Sequence, residues 1–531
     1  MTGKSGASAP ALAKGDRRLA ILLAMAMFVL VVDTSVMNVS IASVVHDLHT
    51  TVSGVQSAIA LEALVSAAFI LIGSKVGDLI GRKRAYVLGL LGYGIGALAM
   101  ALAQGLTAII VFWAIVGGIG ASLLLPAMQS LIHGNFEGAA QRQAYALVGA
   151  AAATAAAVGP LLGGFITTYL SWRIAFVLED VIIVVVLSCI RLVHDVEYTG
   201  SRRVDVVGAV LSVLGMGGIV LGILVWQEGG EAVGLLLALG AVSLGLLAWW
   251  LVRRKRAGKA VLLDPDLFKA KLFRFGVSGQ LLQQIGLGGT MIALPIYLQI
   301  VLEYSAMQAG LSIAPLSLSM FAVALLAGRS RKRRPASLIR AGFALFTIGM
   351  IAVEPIVPRA TSGWYLVVPL MIAGAGLGLL VSQLNNYTLA PISEERVSEA
   401  AGVNSAGGSF GLSFGLAFAG AILLAALSFS FTSMAQSSTV LSGAEQQQVA
   451  KVLEHDAEVV SDTQLEKQLA GQPQKTQDEI IKINTQARHL ALQVALLIPI
   501  LAGLAGLLIG FRMIRLPDPQ QSGSGEQAAL G

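Results

Sequence analysis

The sequence predicts an all-α integral membrane protein with about 14 transmembrane helices. Three observations carry this prediction. The chain of 531 residues is 56% hydrophobic and 12% charged, with a mean hydropathy of +0.77. Mostly apolar stretches of about 20 residues recur along it, each long enough to cross a hydrocarbon core about 30 Å thick as a helix, and short basic blocks lie between them. Soluble proteins average about 25% charged residues, so this composition excludes a soluble globular protein.

The predicted spans follow one another along almost the whole chain. In order they lie near 19–41, 56–74, 85–104, 106–128, 143–167, 173–193, 206–226, 234–252, 273–297, 308–328, 337–356, 364–386, 403–427 and 488–511. The first follows Lys14, Arg17 and Arg18, as the apolar core of a signal peptide would. Its core is too long for a signal peptide and no small-residue cleavage site follows, so we expect it to be retained as span 1.

The basic blocks predict the orientation of the chain. Cytoplasmic loops of membrane proteins carry an excess of lysine and arginine. With both termini in the cytoplasm, the main basic blocks all fall on that side, at 75–84, 202–203, 253–256, 329–334 and 512–515. The opposite loops carry acidic residues, at Asp47, Glu228, Glu231 and Glu303. The net charge of +6 is therefore a topology signal and predicts no nucleic-acid partner.

A weak internal repeat predicts the domain organisation. One short basic turn follows span 2 and another follows span 10, the equivalent place if a two-helix insert separates two six-helix halves. Repeated halves are typical of transporters. The predicted parts are a cytoplasmic tail (1–18), an N-terminal bundle (19–195), two inserted helices (196–260), a C-terminal bundle (261–427 and 488–512), an extracytoplasmic segment (428–487) and a second cytoplasmic tail (513–531).

The segment 428–487 is polar, unlike the rest of the chain. It carries capping-box spacings at Ser442/Glu445, Ser461/Gln464 and Thr476/Glu479, with Pro473 as a helix breaker. These features predict short amphipathic helices over the outer mouth of the bundle. The alternative is a loosely ordered loop.

Several functional classes find no support in the sequence. Gly77, Arg82 and Lys83 only superficially resemble a phosphate-binding loop, because the spacing is wrong and no Ser or Thr follows the lysine. The single Cys189 excludes a disulfide framework or a cysteine-rich metal site. The His-Asp-x-His cluster at 46–49 is more often a polar turn than a metal site. We therefore predict no ATP hydrolysis, no metal, no catalytic residues and no enzymatic activity.

Uphill transport without ATP hydrolysis needs an ion gradient and ionisable groups within the bilayer. Such groups are costly in hydrocarbon and indicate function by default. The candidates for proton coupling are four carboxyl groups in spans 1, 2 and 6: Asp33, Glu62, Glu179 and Asp180. Asp33 and Glu62 both fall in the outer half of the membrane and can share a cavity. The alternatives are structural hydrogen bonds for Asp33 and Glu62, and an ion pair of Glu179 or Asp180 with Arg173 one turn earlier.

The loop between spans 2 and 3 carries a recognisable motif. Residues 74–84 read Ser-Lys-Val-Gly-Asp-Leu-Ile-Gly-Arg-Lys-Arg. This segment resembles the signature loop of the major facilitator superfamily, G-x-L-x-D-R-x-G-R-K, with matches at Asp78, Gly81, Arg82 and Lys83. The resemblance implies a gating role, in which Gly81 allows the tight turn and Asp78 lies against the N-terminus of a facing helix and latches the cytoplasmic side shut.

Two further segments resemble the 14-span drug:proton antiporter branch of that superfamily. Span 5 is similar to the antiporter motif of its drug exporters at Gly159, Pro160, Gly163 and Gly164. Small residues and proline there let a membrane helix bend and pack closely. Span 1 resembles the branch signature L-D-x-T-I-V-N-V, with Asp33 and Asn38 in register.

One position departs from the family pattern R-x-x-Q-G-x-G of span 4, whose buried arginine is implicated in proton transfer. Ala114 stands at the position of that arginine, and the glycines that follow survive. Either coupling relies on Asp33 and Glu62 without an arginine, or the protein is not a standard proton antiporter.

The resemblance implies two six-helix bundles that rock about a central cavity. It implies a secondary transporter of the bacterial inner membrane that exports lipophilic, often cationic, compounds in exchange for protons. The energy source is then the proton gradient, with no cofactor. The implied partners are a small lipophilic substrate, protons and membrane lipids.

Polar side chains at membrane depth are the candidates for lining the cavity: Asn38, Gln283, Gln284, Asn385 and Asn404. For each of them the alternative is an interhelical hydrogen bond. Two other functions stay open, an exporter of an endogenous lipid or hydrophobic metabolite and a non-transporting receptor or scaffold. The oligomeric state also stays open.

Overall fold

The computed structural model describes residues 14–136, 138–195, 205–227, 229–329, 334–392, 394–441, 446, 465–467 and 469–517. These residues form fourteen long helices joined by short connections, and their regular secondary structure is helical throughout. Thirteen of the helices are long and apolar enough to cross a membrane. The remaining helix, Trp172–Ser188, has 17 residues and is the shortest of the fourteen. The predicted fold class, an all-α multi-pass membrane protein, is confirmed.

The helices in chain order are α1 Lys14–Leu48, α2 Val52–Ile80, α3 Arg82–Leu102, α4, α5 Gly138–Tyr169, α6 Trp172–Ser188, α7 Val206–Gln227, α8 Val233–Arg256, α9 Lys271–Ile296, α10 Ala306–Arg329, α11 Pro335–Val353, α12 Val367–Leu389, α13 Glu394–Ser437 and α14 Gln474–Ile514. Helix α4 consists of three consecutive pieces, Leu106–Ala108, the π-helical Ile109–Gly117 and Gly118–Asn135. A second π-helical piece, Tyr297–Val301, continues α9.

The helices pack as two bundles and an inserted pair. In the first bundle α1 packs on α5 and α6, while α2 and α3 pack on α4; in the second, α9 to α14 pack on one another. The bundles meet through α2 against α13 and α5 against α10. The inserted helices α7 and α8 approach closely, because a Cβ on Gly218 would lie 2.7 Å from Gly240 Cα. Small residues at such crossings are typical of membrane helices.

The connections gather at two ends of the molecule. At the basic end, which holds the loops near residues 81, 195, 257–270 and 334, Lys83 N donates to Asp195 Oδ1 at 3.0 Å. At the far end, which holds the loops near 49, 170, 303 and 360, Met307 N donates to Thr168 Oγ1 at 2.9 Å. At each end, a hydrogen bond therefore joins segments that are far apart in the sequence.

A network of charged groups joins the inserted pair to the second bundle at the basic end. Asp264 pairs with Lys255 of α8 and, at 2.7 Å, with Arg396 of α13. Asp266 pairs with Lys255 and, at 2.7 Å, with Lys269. Hydrogen bonds from these two lysines lower the pKa of Asp266 from 3.8 to about 2, so its carboxylate is fully ionised at neutral pH.

Asp205 anchors the start of α7. Its side chain, in a residue only 1% exposed, accepts hydrogen bonds from Gly208 N at 3.1 Å and from the Trp250 indole nitrogen at 3.0 Å. It also accepts one from Leu262 N at 3.3 Å, and Arg254 lies 3.7 Å away. One carboxylate thus fixes α7, α8 and the connection to α9.

The structure differs from the prediction for the polar segment 428–487. Helix α13 continues to Ser437, and α14 is a single helix of 41 residues that begins at Gln474, directly after Pro473. The box at Thr476/Glu479 lies in the first turns of α14, where Glu479 accepts a hydrogen bond from Ser438 at 2.9 Å. The helix extends into this polar stretch because one face of the stretch is buried, at Ile480, Ile483, Asn484 and Ala487. The other two predicted boxes, Ser442/Glu445 and Ser461/Gln464, lie outside the described residues.

Candidate functional site

Three carboxyl groups gather inside the first bundle. Asp33 of α1, Glu62 of α2 and Glu179 of α6 are 1%, 9% and 3% exposed. Asp33 interacts electrostatically with Glu62 and with Glu179, and Tyr93 of α3 interacts with all three. We call Asp33, Glu62 and Glu179 the carboxyl cluster. Three of the predicted coupling residues thus come together from three different helices.

Two neutral donors hold one oxygen of Asp33. The Tyr93 hydroxyl donates to Asp33 Oδ2, and the Trp113 indole nitrogen donates to the same atom at 2.9 Å. Asp33 Oδ1 and both carboxyl oxygens of Glu179 are buried without a hydrogen-bond partner among the described residues. A buried carboxylate without donors is costly, so this arrangement is suited to binding protons.

Sequence reasoning missed Tyr93 and Trp113. A signal was present for Trp113, because a buried indole N–H needs an acceptor and Asp33 is one of few acids at membrane depth. Trp113 also lies next to Ala114, the position at which the family pattern has arginine, and Ala114 is fully buried. The donors that reach Asp33 are therefore a phenol and an indole.

The fourth predicted coupling residue, Asp180, sits at the edge of this site. It is partly exposed, interacts with Glu179, and faces α3 where a Cβ on Gly94 would lie 3.4 Å from its Oδ1. The alternative that Arg173 pairs with Glu179 or Asp180 is wrong. Arg173 pairs with Asp47 at the far end.

Arg173 is held at the far end by several groups. It donates to the Ala103 carbonyl oxygen at 2.7 Å and lies 4.5 Å from the centre of the Trp172 ring. The Trp172 indole nitrogen donates to Asp47 Oδ2 at 3.0 Å. Asp47, the acid of the His-Asp-x-His cluster at 46–49, thus takes part in a contact between α1 and α6.

The small residues of α5 form the close contacts of that helix. A Cβ on Gly159 would lie 3.0 Å from Ser35 Oγ, and one on Gly163 would lie 2.9 Å from Val36 Cα, so α5 packs on α1 beside Asp33. A Cβ on Gly164 would lie 2.6 Å from the Ala306 carbonyl oxygen of α10. The Pro160 carbonyl oxygen lies against Gly310 of the same helix. Helix α5 therefore links the cluster-bearing α1 to the second bundle.

The turn between α2 and α3 consists of one residue, Gly81, with a φ of +101°. A Cβ there would lie 2.7 Å from Asp195 Oδ2. Asp78 pairs with Arg82 in the same turn and lies 3.9 Å from Lys75. Lys83 contributes its backbone N–H to Asp195. Lys83 thus ties the hairpin to Asp195, in the connection that follows α6.

The comparisons with known proteins agree with this architecture. The family model described as Major Facilitator Superfamily matches residues 23–416. The chain belongs to the major facilitator superfamily. Among solved structures, a bacterial homolog of the human lysosomal transporter Spinster, in an inward-facing and unoccupied conformation, has a TM-score of 0.61 at 12% identity, covering 95% of this chain and 99% of that chain. At that identity the likeness shows the major facilitator fold.

Three curated relatives of this major facilitator protein are bacterial. The puromycin resistance protein pur8 of Streptomyces alboniger is 32% identical, covering 74% of this chain and 80% of that protein. The probable actinorhodin transporter of Streptomyces coelicolor is 28% identical over 70% and 66% of the two chains. The multidrug export protein EmrB of Escherichia coli is 26% identical over 73% and 76%.

The predicted cavity residues of this major facilitator protein do not join the carboxyl cluster through the hydrogen bonds they make. Asn38 donates to the Thr34 carbonyl oxygen of its own helix at 2.8 Å. Asn404 of α13 donates to Asn385 of α12 at 3.2 Å, which is an interhelical hydrogen bond. Gln283 and Gln284 each have a buried side-chain oxygen without a partner among the described residues. These two amides keep free acceptors in the second bundle.

Proposed function

We propose that this protein is a secondary transporter of a bacterial inner membrane that exports lipophilic, often cationic, compounds in exchange for protons by alternating access. The carboxyl cluster carries the proposal. It places three acids inside a membrane bundle, with hydrogen bonds from Tyr93 and Trp113 to one oxygen of Asp33. Ionisable groups at this depth are rare outside ion and proton pathways.

The chemistry of the cluster gives a way to couple the two fluxes. A carboxylate in a low-dielectric bundle needs either a proton or another cation nearby. A proton and a lipophilic cation therefore compete for the same negative charge. Export follows when the cation binds from the inside to the deprotonated cluster and external protons displace it on the outside.

The arrangement of the bundles supports alternating access. Helices α5 and α10 meet at the far end through Gly164, Thr168 and Met307. In this proposal the basic end faces the cytoplasm, because its loops carry the lysine and arginine blocks, and both termini are inside. Far-end contacts then close the outside, and their opening would expose the interior to external protons.

The named functions of the relatives support export. The names of pur8 and EmrB refer to puromycin resistance and multidrug export. The name of the Streptomyces coelicolor relative refers to transport of actinorhodin, which is compatible with drug export and with the second candidate, an exporter of an endogenous lipid or hydrophobic metabolite. We place drug export first because the buried acids of the cluster match a cationic substrate.

The proposal is tested in proteoliposomes that hold the purified full-length chain and a pH-sensitive dye. Tetraphenylphosphonium, as a lipophilic cation, and a neutral lipophile of similar size are added to wild type, Asp33→Asn and Asp266→Asn. Asn keeps an acceptor for Tyr93 and Trp113 but loses the charge, and Asp266 is a matched acid at the basic end. We expect cation-driven proton flux in wild type and Asp266→Asn, and none in Asp33→Asn.

Other outcomes overturn specific parts of the proposal. Movement of compound without protons in wild type would rule out proton coupling and favour lipid or metabolite export. No movement of any compound in wild type would favour the receptor or scaffold function. Equal proton flux in Asp33→Asn and wild type would remove Asp33 from the coupling site.

A further inference from the structure

The two oxygens of the Asp33 carboxyl group are not equivalent. Oδ2 accepts both the Tyr93 hydroxyl and the Trp113 indole N–H, whereas Oδ1 is buried with no partner among the described residues. Hydrogen bonds to a carboxylate oxygen stabilise its charged form. The unsupported oxygen is then the one that gains most from binding a proton.

The Trp113 donor is placed by an unusual piece of helix. Trp113 lies in the middle of the nine-residue π-helical piece of α4, Ile109–Gly117. Such pieces are rare and occur mostly at functional sites. The indole that donates to Asp33 is thus carried by this π-helical piece.

Packing of α3 on α4 fixes both donors together. A Cβ on Gly96 would lie 3.2 Å from Gly117 Cα, and one on Gly120 would lie 2.6 Å from Tyr93 N. The Trp113 ring also packs edge-on against Phe176, with ring centres 6.5 Å apart. Tyr93 and Trp113 are therefore buried, rigidly held and aimed at one atom.

The titratable groups that interact with Asp33 are acids and a phenol. They are Glu62 of α2, Tyr93 of α3 and Glu179 of α6. Asp180 interacts electrostatically with Glu179. Helix α4 contributes Trp113, and α5 contributes Gly159 against Ser35. The donors on Oδ2 are thus the stabilising partners that the structure gives to the charged form of Asp33.

We propose that Tyr93 and Trp113 are positioning residues for proton binding, which hold Asp33 Oδ2 so that Oδ1 takes up and releases the coupled proton. This inference rests on the proposed function. Loss of either donor weakens the charged form, so the proton is released only at higher pH. A hydrogen bond to a charged group stabilises that group enough that its loss shifts proton release by about 1 pH unit or more.

The experiment compares Trp113→Phe and Tyr93→Phe with wild type and with Trp250→Phe. Trp250→Phe is a matched control, because it also removes an indole N–H that donates to a buried aspartate, Asp205. The first readout is the pH at which cation-driven proton flux in proteoliposomes is half-maximal. We expect a shift to higher pH by about 1 unit in Trp113→Phe and Tyr93→Phe, and no shift in Trp250→Phe.

A second readout separates this inference from the proposed function. The infrared absorption of the protonated Asp33 carboxyl, assigned by its loss in Asp33→Asn, is titrated without substrate. If wild type moves no protons but the titration shifts in the two variants, the proposed function fails, and what stands is that Tyr93 and Trp113 control proton binding at Asp33. An unshifted titration, or the same shift in Trp250→Phe, overturns the inference. If Trp113→Phe does not fold, Tyr93→Phe decides, because it loses only a hydroxyl.

Discussion

The Gln227 side-chain amide donates to Gln56 Oε1 at 3.1 Å and joins the inserted helix α7 to α2 of the first bundle. Both side chains are buried, and Gln56 Nε2 and Gln227 Oε1 have no partner among the described residues. Helix α13 closes over the pair, since a Cβ on Gly420 would lie 3.1 Å from Gln227 Nε2. The insert is therefore tied to the first bundle at the far end and to the second bundle at the basic end.

The Gln56 and Gln227 pair predicts a non-additive mutational effect. Gln227→Leu leaves the buried amide of Gln56 without its partner, which costs about 1–3 kcal/mol. Replacing both residues with leucine removes both sets of polar atoms and is expected to cost less than either single change. Thermal unfolding in detergent of the two single variants and the double variant measures this. Additive losses would show that the hydrogen bond does not link the helices.

The close contact of α5 with α10 predicts that a larger side chain at position 164 opens the far end. Gly164→Val would push against the Ala306 carbonyl oxygen, which lies 2.6 Å from the position of its Cβ. The measurement is disulfide formation between Thr168→Cys and Met307→Cys, in a chain with Cys189→Ser. These positions are neighbours at the far end, where the Met307 backbone N–H donates to the Thr168 hydroxyl. We expect cross-linking to fall several-fold in Gly164→Val.

Gly149→Val on the same helix is the control for this experiment. No heavy atom lies within 4 Å of the position of its Cβ, so the added volume meets open space. Cross-linking should stay at the parent rate in this variant. A similar fall in both variants would mean that valine disturbs α5 itself and not its contact with α10.

Much of the fold could be predicted from the sequence, because a bilayer restricts the possibilities. Apolar stretches of about 20 residues become helices, since a single stretch in hydrocarbon can satisfy its own backbone groups only as a helix. The order of fourteen helices follows from these stretches. The bounds at the polar segment could not be predicted. Helix α14 extends to Gln474 because one face of its polar part is buried, and that contact is invisible to a span-length criterion.

The candidate site could be predicted in part for a similar reason. Asp33, Glu62 and Glu179 stand out because carboxyl groups are rare at membrane depth. Their partners are harder to predict, since Tyr93 gives no signal in the sequence of α3 and Trp113 of α4 gives only one, an indole N–H that needs an acceptor when it is buried. Their roles depend on how two helices cross and on a π-helical piece that no local pattern indicated. The expected pairing of Arg173 with Glu179 or Asp180 is wrong because it was based on closeness in sequence. Arg173 pairs with Asp47 of another helix.

The one-residue turn at Gly81 predicts a loss of activity on substitution. Gly81→Ala places an L side chain at a φ of +101° and its Cβ 2.7 Å from Asp195 Oδ2. The backbone conformation of Gly81, with φ +101° and ψ 140°, is essentially restricted to glycine and costs another residue about 1–3 kcal/mol, and the clash with Asp195 adds to it. We expect lower thermal stability and slower cation-driven proton flux.

Gly258→Ala separates the two effects at Gly81. Gly258 also has a positive φ, of +66°, but no heavy atom lies within 4 Å of the position of its Cβ. This variant should lose about 1–2 kcal/mol of stability and keep its transport rate. If Gly258→Ala slowed transport as much as Gly81→Ala, backbone strain and not the contact with Asp195 would be the cause.

The hydrogen bonds of Asp205 predict that substitutions in the inserted pair lower stability to different degrees. Asp205→Ala leaves the Gly208 and Leu262 backbone N–H groups and the Trp250 indole N–H without their acceptor. Each buried donor left without a partner costs about 1–3 kcal/mol, so this variant should unfold at a much lower temperature than wild type. Trp250→Phe removes only one of the donors and should lose less.

Asp205→Asn completes this series. An amide keeps one acceptor oxygen but loses the negative charge that Arg254 faces at 3.7 Å, so its loss should fall between those of Trp250→Phe and Asp205→Ala. Thermal unfolding in detergent ranks the three variants. Asp266→Asn is the comparison, because Asp266 is a partly exposed acid of the same connection. Because these contacts hold α7, α8 and the start of α9 together, the ranking measures how firmly the insert is anchored. Equal losses in all four variants would contradict an anchoring role for Asp205.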